Sequence, residues 1–279
     1  MSTSTWGGNE VDLGAYLARI GVAGRGGGVR ADLATLTALH QRHMAAFPFE
    51  NLEILLGRPV LLGIKALQDK MVARRRGGYC YEQNLLFAAV LERVGFRVTG
   101  LGARIRMGGD TLRPATHMAL KVAADDGVWL CDVGFGGEGL LEPLPLEDGA
   151  RARQGEWTFG LAREGQDVHV LRSLHPDGWF DLYAFGPEER FPVDYTVLNH
   201  YVSTHPHSPF VSRAVVQQTG PELRRSLLGP VLSAARPDGS VTQREVPVGE
   251  LAGLLAREFR IELTGAEAAT LARVYSSGT

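Results

Sequence analysis

Arg74-Arg75-Arg76-Gly77-Gly78-Tyr79-Cys80-Tyr81-Glu82-Gln83-Asn84 is the stretch on which the reading of the whole chain turns. A charged segment gives way to two glycines and a cysteine. Leu85, Leu86, Ala89, Val90 and Val94 then recur at the spacing of one helix face, with Gly95 as a stop signal. The pattern predicts a mostly buried helix that opens at or near Cys80. Unpaired N–H groups and the positive end of the helix dipole converge at such a position. Both favour thiolate over thiol, and the neighbouring arginines add positive charge. A small hydrophobe at a helix start is the bland alternative. The two glycines weigh against it, because they let the backbone bend and a second group approach closely. Cys80 reads as a nucleophile that needs a base.

Upstream, the chain is mainly helical. Val11 to Val22 is a short amphipathic segment, and Asp32 caps a helix with Leu33, Leu36, Leu39, His40 and Met44 near one side. His40 and His43 read as surface or boundary histidines. Gly24 to Gly28 reads as a flexible connector, since no strand precedes it and no Gly-Lys-Ser/Thr follows. Phe47-Pro48-Phe49-Glu50-Asn51-Leu52 is an apolar turn holding one carboxylate, which is expensive to bury unpaired. One of Arg74 to Arg76 is its natural partner. Ile64 to Arg75 is a further helix.

Downstream of Phe96 the pattern becomes strand and turn. Thr116 to Ala123 and Val128 to Val133 read as the arms of a hairpin around Asp125-Asp126-Gly127. Trp157 to Ala162, Val168 to Leu171 and Trp179 to Phe185 extend an antiparallel sheet that suits closure into a barrel. From about Asn199 the pattern mixes: strands at Val211 to Gln217 and around Arg236 to Gly239, then helices over Leu251 to Phe259 and Ala266 to Tyr275. The fold class is α+β, with a helical part (1–95), an antiparallel sheet suited to a barrel (96–200) and a mixed C-terminal part (201–279).

A cysteine nucleophile works with a histidine in reach and a third group that orients the histidine. His117 lies on one hairpin arm and Asp132 on the other, and an even-numbered loop puts both on one sheet face. A turn centred on Asp126-Gly127 leaves them roughly 13 Å apart, so a longer loop or bulge has to close the gap. Asp132 inside Trp129 to Phe135 is an acid in an apolar strand that needs a partner. Cys131 faces the other way and reads as packing. Gly134 to Gly139 superficially suits a dinucleotide loop, but Pro143 and Pro145 follow it instead of a helix. His200, His205 and His207 are the one candidate metal cluster; their Ser/Thr/Pro setting favours a loop, and no metal is expected.

Composition narrows the classes. The chain has 279 residues, 44% apolar and 22% charged, with a formal net charge of -2, which argues against a nucleic-acid partner. Two cysteines without a CxxC motif suggest free thiols in a reducing, cytoplasmic setting. No apolar run is long enough to span a membrane, and Met1 to Glu10 lacks a secretory pattern.

Phe47 to Leu52, Arg76 to Glu82, Thr116-His117, Asp132 to Gly137 and Ser203-Thr204-His205-Pro206, taken together, resemble the arylamine N-acetyltransferase family, in its bacterial, actinomycete-type form. The motifs follow that family's order and spacing from about residue 10 to the C-terminus; Tyr79 stands where many members carry arginine. The resemblance implies a helical N-terminal domain, a β-barrel and a C-terminal α/β lid around a cysteine-protease-like core, and a Cys80-His117-Asp132 triad. It also implies acetyl-CoA as acetyl donor, and an arylamine, arylhydrazine or arylhydroxylamine acceptor in xenobiotic metabolism. It places Thr116, Phe135, Gly136, Thr204 and His205 near the coenzyme. Phe49 and Phe210 are expected to line the acceptor cleft. A homodimer stays open. So do three rivals: an amide synthase of the same family that releases polyketide chains, a Cys-His-Asp thiol hydrolase, and a non-catalytic binding protein with a redox-sensitive thiol.

Overall fold

The computed structural model describes residues 4–22, 29–109 and 111–277, so the glycine-rich run at 24–28 lies outside the described residues. Helices α1 (Leu13–Arg19) and α2 (Leu33–Ala46) each start on an aspartate. Asp12 accepts the Ala15 N–H at 2.9 Å and Asp32 accepts the Thr35 N–H at 2.8 Å. Strand β1 (Phe49–Glu50), α3 (Leu52–Leu55) and α4 (Ile64–Leu67) follow. The helix expected over 64–75 changes to a π-helical turn at Gln68–Ala73, and Lys70 on that turn is buried. Helix α5 (Cys80–Val94) is buried along every residue from Cys80 to Leu91, and Gly95 ends it.

That burial corrects one expectation. His40 and His43 are fully buried, because α5 packs against the side of α2 that carries them. Both rings meet Phe87 of α5, at 5.7 and 5.3 Å between centroids.

The middle of the chain forms β2 (Arg97–Ile105), β3 (His117–Ala124), β4 (Gly127–Cys131), β5 (Leu144–Pro145), β6 (Arg151–Gln154), β7 (Trp157–Glu164), β8 (Val168–His175) and β9 (Gly178–Arg190). They make one antiparallel sheet in the order β5-β4-β3-β2-β9-β8-β7-β6, curled into a nearly closed barrel. Leu101, Leu130, Phe159, Leu171, Leu182 and Tyr183 fill its inside. The next element, α6 (Pro192–Thr204), is absent from the sequence reading. Its signal was there: Pro192 at the first helical position, and Asp194 accepting the Phe191 N–H at 2.8 Å.

After α7 (Pro209–Ser212) come β10 (Val215–Thr219), β11 (Arg224–Leu228), β12 (Val231–Ala235) and β13 (Val241–Glu245), then α8 (Leu251–Phe259) and α9 (Gly265–Ser277). The strand expected at 211–217 therefore starts four residues later, behind a helical turn. β1 pairs with β10, Phe49 opposite Gln217, so a piece of the helical part edges the C-terminal sheet. The class is α+β, as read from the sequence.

Candidate active site

Cys80 is the first residue of α5, and the Tyr79 N–H before it donates to Glu82 Oε2 at 3.1 Å. The two glycines ahead of it let β1 lie across the turn: Glu50 N–H donates to the Gly78 carbonyl at 3.1 Å. A Cβ on Gly77 would come within 2.0 Å of the Pro48 carbonyl oxygen, so only glycine fits. Glu50, fully buried, meets Arg76 at 3.1 Å and Lys70 at 3.6 Å. Burial works to raise its carboxyl, and the two cations outweigh burial and lower it. The expected arginine tie to this turn is Arg76.

The same contacts correct the view that the arginines charge the thiol. Arg76 is spent on Glu50, Glu53 and Glu267, and Arg74 pairs with Asp69 at 2.9 Å. Burial pushes the Cys80 thiol up, and the nearby Asp132 charge pushes it further. The backbone N–H groups of Met118 and Tyr81 pull the other way without prevailing. A lone thiolate is therefore disfavoured here; an anionic sulfur needs a cation formed beside it.

His117 and Asp132 are the other two members of the expected triad. The hairpin turn is the two residues Asp125-Asp126, with Ala124 opposite Gly127 and Leu120 opposite Cys131. This two-residue turn is centred one residue earlier than a turn on Asp126-Gly127. Continued along the ladder, it sets Asp132 opposite Ala119, two residues from His117 and roughly 7 Å along the strand. β4 ends at Cys131, the chain leaves the ladder, and Asp132 Oδ2 reaches His117 Nε2 at 2.7 Å. No long loop or hairpin bulge is involved. Burial works to raise the Asp132 carboxyl, but His117 and hydrogen bonds from Asn84 and Gly134 hold it below the usual range. Cys131 is fully buried on the opposite face.

Asn84, one helical turn beyond Cys80, joins the parts. Its Nδ2 donates to Asp132 Oδ1 at 3.0 Å and to the Met118 carbonyl at 2.7 Å, and its Oδ1 accepts the Val133 N–H at 3.1 Å. Behind Asp132, His40 Nε2 accepts the Asp132 backbone N–H at 3.2 Å. His40 Nδ1 faces the Leu141 carbonyl without a well-aligned bond. His43 bonds Tyr16 and Gln83, both at 2.8 Å, and Gln83 Nε2 holds the Pro48 and Gly78 carbonyls. The Tyr183 hydroxyl is turned toward Asp132, and its ring lies 4.9 Å from the His117 ring. Sequence reasoning missed these residues. The available signal was Glu82-Gln83-Asn84, three polar residues inside a helix read as buried.

A cleft of about 750 Å³ opens between barrel and C-terminal sheet. Thr116, Phe135, Phe49 and Phe210 line it; Phe135 stands edge-on to His117 at 5.2 Å. Of the other residues assigned to the coenzyme, Gly136 lies just behind the wall, its carbonyl accepting from Thr219 at 2.9 Å. Thr204 and His205 do not line the cleft. Thr204 donates back to His200 within α6, which puts His200 on a helix and not in a loop. His205 stacks on Tyr201, which does line the cleft, as does His207. Among the described residues no group of three or more His, Cys, Asp or Glu is placed to hold a metal ion. Among them, too, no helix is long and apolar enough to cross a membrane.

The N-acetyltransferase family model matches residues 32–268. An arylamine N-acetyltransferase of Mycolicibacterium smegmatis is 40% identical over 259 residues, 91% of this chain and 93% of the relative. The chain belongs to the arylamine N-acetyltransferase family. The fold agrees with the crystal structure of the Nocardia farcinica arylamine N-acetyltransferase, with a TM-score of 0.90 and 47% identity over 96% of this chain and 95% of that one. It also agrees with that of the Mycobacterium marinum enzyme in complex with CoA, with a TM-score of 0.84 and 34% identity over 94% and 99% of the two chains. Membership in the arylamine N-acetyltransferases makes this protein an acyltransferase.

Proposed function

We propose that the protein transfers an acetyl group from acetyl-CoA through a Cys80 thioester to an arylamine, arylhydrazine or arylhydroxylamine. The observation that carries this reading is the 2.7 Å His117–Asp132 contact, tied to the first turn of α5 through Asn84 and to the cleft wall through Phe135, which stands edge-on to His117. The cleft has room for a coenzyme arm and aromatic walls for an acceptor, Phe49 and Phe210 lying 5.8 Å apart between ring centres. Acetyl-CoA supplies an activated acyl group, and the protein supplies position and proton transfer.

Asp132 occupies His117 Nε2, which leaves Nδ1 to take the Cys80 proton. The imidazolium so formed is the cation that the buried sulfur lacks at rest. Sγ attacks the acetyl carbonyl carbon, and N–H groups at the start of α5 stabilise the oxyanion. The carbon–sulfur bond of the donor breaks, and the departing CoA thiolate recovers the proton from His117. The acceptor amine then attacks the Cys80 thioester while His117 takes its proton, and the amide leaves with Cys80 restored. In this reading residues 1–95 carry the nucleophile, 96–200 the base and acid, and 201–279 form the lid over the cleft. Free, buried Cys80 and Cys131 suit a reducing cytoplasm.

The test is intact-mass analysis after brief exposure to acetyl-CoA without amine. One acetyl group on wild type and none on Cys80→Ala is the expected result. Wild type left unmodified at neutral pH overturns the first half-reaction. His117→Gln should abolish acylation, and Asp132→Asn should slow it severely; normal turnover in either removes that residue from the mechanism.

A further inference from the structure

The cleft is cationic in a protein whose formal net charge is -2. Arg113, Arg213, Arg224 and Arg225 stand in its walls, with Glu138 as the acid among the described lining residues. Glu138 is already engaged, by Arg224 at 3.2 Å, His175 at 2.9 Å and Ser173 at 2.8 Å. Arg224 is buried under the Trp157 ring, 3.7 Å from its centroid, and Arg225 pairs with Glu258 at 3.1 Å. Arg113 and Arg213 remain. Both are exposed, and no described residue gives either guanidinium an ion-pair or hydrogen-bond partner.

The two side chains are free, but their main chains are not. The Arg113 carbonyl accepts from Arg104 Nη1 at 2.6 Å, four residues before His117 on the barrel side. The Arg213 carbonyl accepts from Asn51 Nδ2 at 2.8 Å, just past α7 on the lid side. Two anchored positions on different walls of one cleft thus each present an uncommitted planar fork of N–H donors. That fork matches the oxygens of a phosphate, and the surrounding excess of positive charge attracts a polyanion.

Resting on the CoA-dependent reading above, we propose that Arg113 and Arg213 clamp the phosphate groups of the donor, its diphosphate or its 3′-phosphate. They would set donor affinity and leave the acetyl-transfer steps at Cys80 unchanged. An acceptor bearing a carboxylate is the other anion that could meet them, and the experiment separates the two.

Steady-state rates are measured for wild type, Arg113→Gln, Arg213→Gln and the double variant, with three donors. These are acetyl-CoA, acetyl-dephospho-CoA and the phosphate-free S-acetyl-N-acetylcysteamine. Each substitution should raise KM for acetyl-CoA roughly tenfold, the loss of one charge-assisted contact, with kcat within about twofold. KM for the phosphate-free donor should not move. The rise of the acetyl-CoA KM with salt should flatten in the double variant. A smaller effect with acetyl-dephospho-CoA assigns the 3′-phosphate, and an equal one assigns the diphosphate. An unchanged KM for acetyl-CoA, an equal rise with the phosphate-free donor, or a rise confined to carboxylated acceptors overturns the clamp. Should wild type transfer acetyl from none of the donors, the function reading fails separately. Calorimetric CoA binding to wild type and the double variant then decides the clamp: equal affinities overturn it.

Discussion

Acidification should destabilise this protein through two buried histidines, His40 and His43. Burial holds His40 down to about 4 and His43 down to about 3, while an unfolded histidine titrates near 6.5. Below about pH 6.5 the unfolded chain therefore takes up two protons that the folded chain refuses, and stability falls. The contribution is fully present above the unfolded value. It is lost as pH drops toward the folded values, and levels off below them. Between about pH 7.5 and pH 5 each histidine contributes a loss of about 2 kcal/mol, about 4 together, a large part of the ~5–15 kcal/mol typical of a folded domain. Proton uptake also turns His40 Nε2 from acceptor to donor, breaking its bond to the Asp132 N–H. Urea unfolding followed by tryptophan fluorescence, at several pH values, measures the slope. His43→Gln, which cannot titrate, should be less stable at neutral pH but lose about half of the pH dependence. A stability that stays flat from neutral pH to pH 5, or an unchanged slope in that variant, would refute the reasoning.

Three further outcomes follow from the same geometry. Asn84→Leu strands the Met118 carbonyl and the Val133 N–H and takes one donor from Asp132, so it should cost about 2–4 kcal/mol in chemical unfolding and lower kcat. Gly134→Ala puts a Cβ 2.8 Å from the Cys80 Cα and 2.6 Å from Asn84 Nδ2. Acylation measured by intact mass should then slow at least tenfold, because one of those neighbours is backbone and cannot yield; a full-rate variant contradicts the close packing. Lys70→Met leaves Glu50 and Glu82 facing each other without their shared cation, 3.6 and 2.7 Å away in wild type. A loss of about 3–5 kcal/mol is expected in thermal or urea unfolding, and an unaffected stability would mean that Arg76 suffices.

The order of motifs, the helix opening at Cys80, the Glu50–arginine tie and the hairpin that carries His117 and Asp132 were all legible in the linear chain. All but the Glu50–arginine tie rest on interactions local in sequence (helix periodicity, capping, strand alternation and turn residues); the tie was legible because a carboxylate in an apolar turn needs a cation. What stayed hidden depends on which surfaces meet. Nothing in the spacing of His40 and His43 says that α5 covers them, because α2 alone has a polar and an apolar side and only a neighbour decides which polar groups are sealed in. The positive charge expected at the sulfur failed for the same reason. Arg76 lies four residues before Cys80 in sequence, yet its guanidinium is drawn to acids brought there from residues 50, 53 and 267. Local chemistry marks Cys80 as the candidate nucleophile; long-range packing chose its neighbours and, through burial, pushes its thiol pKa up.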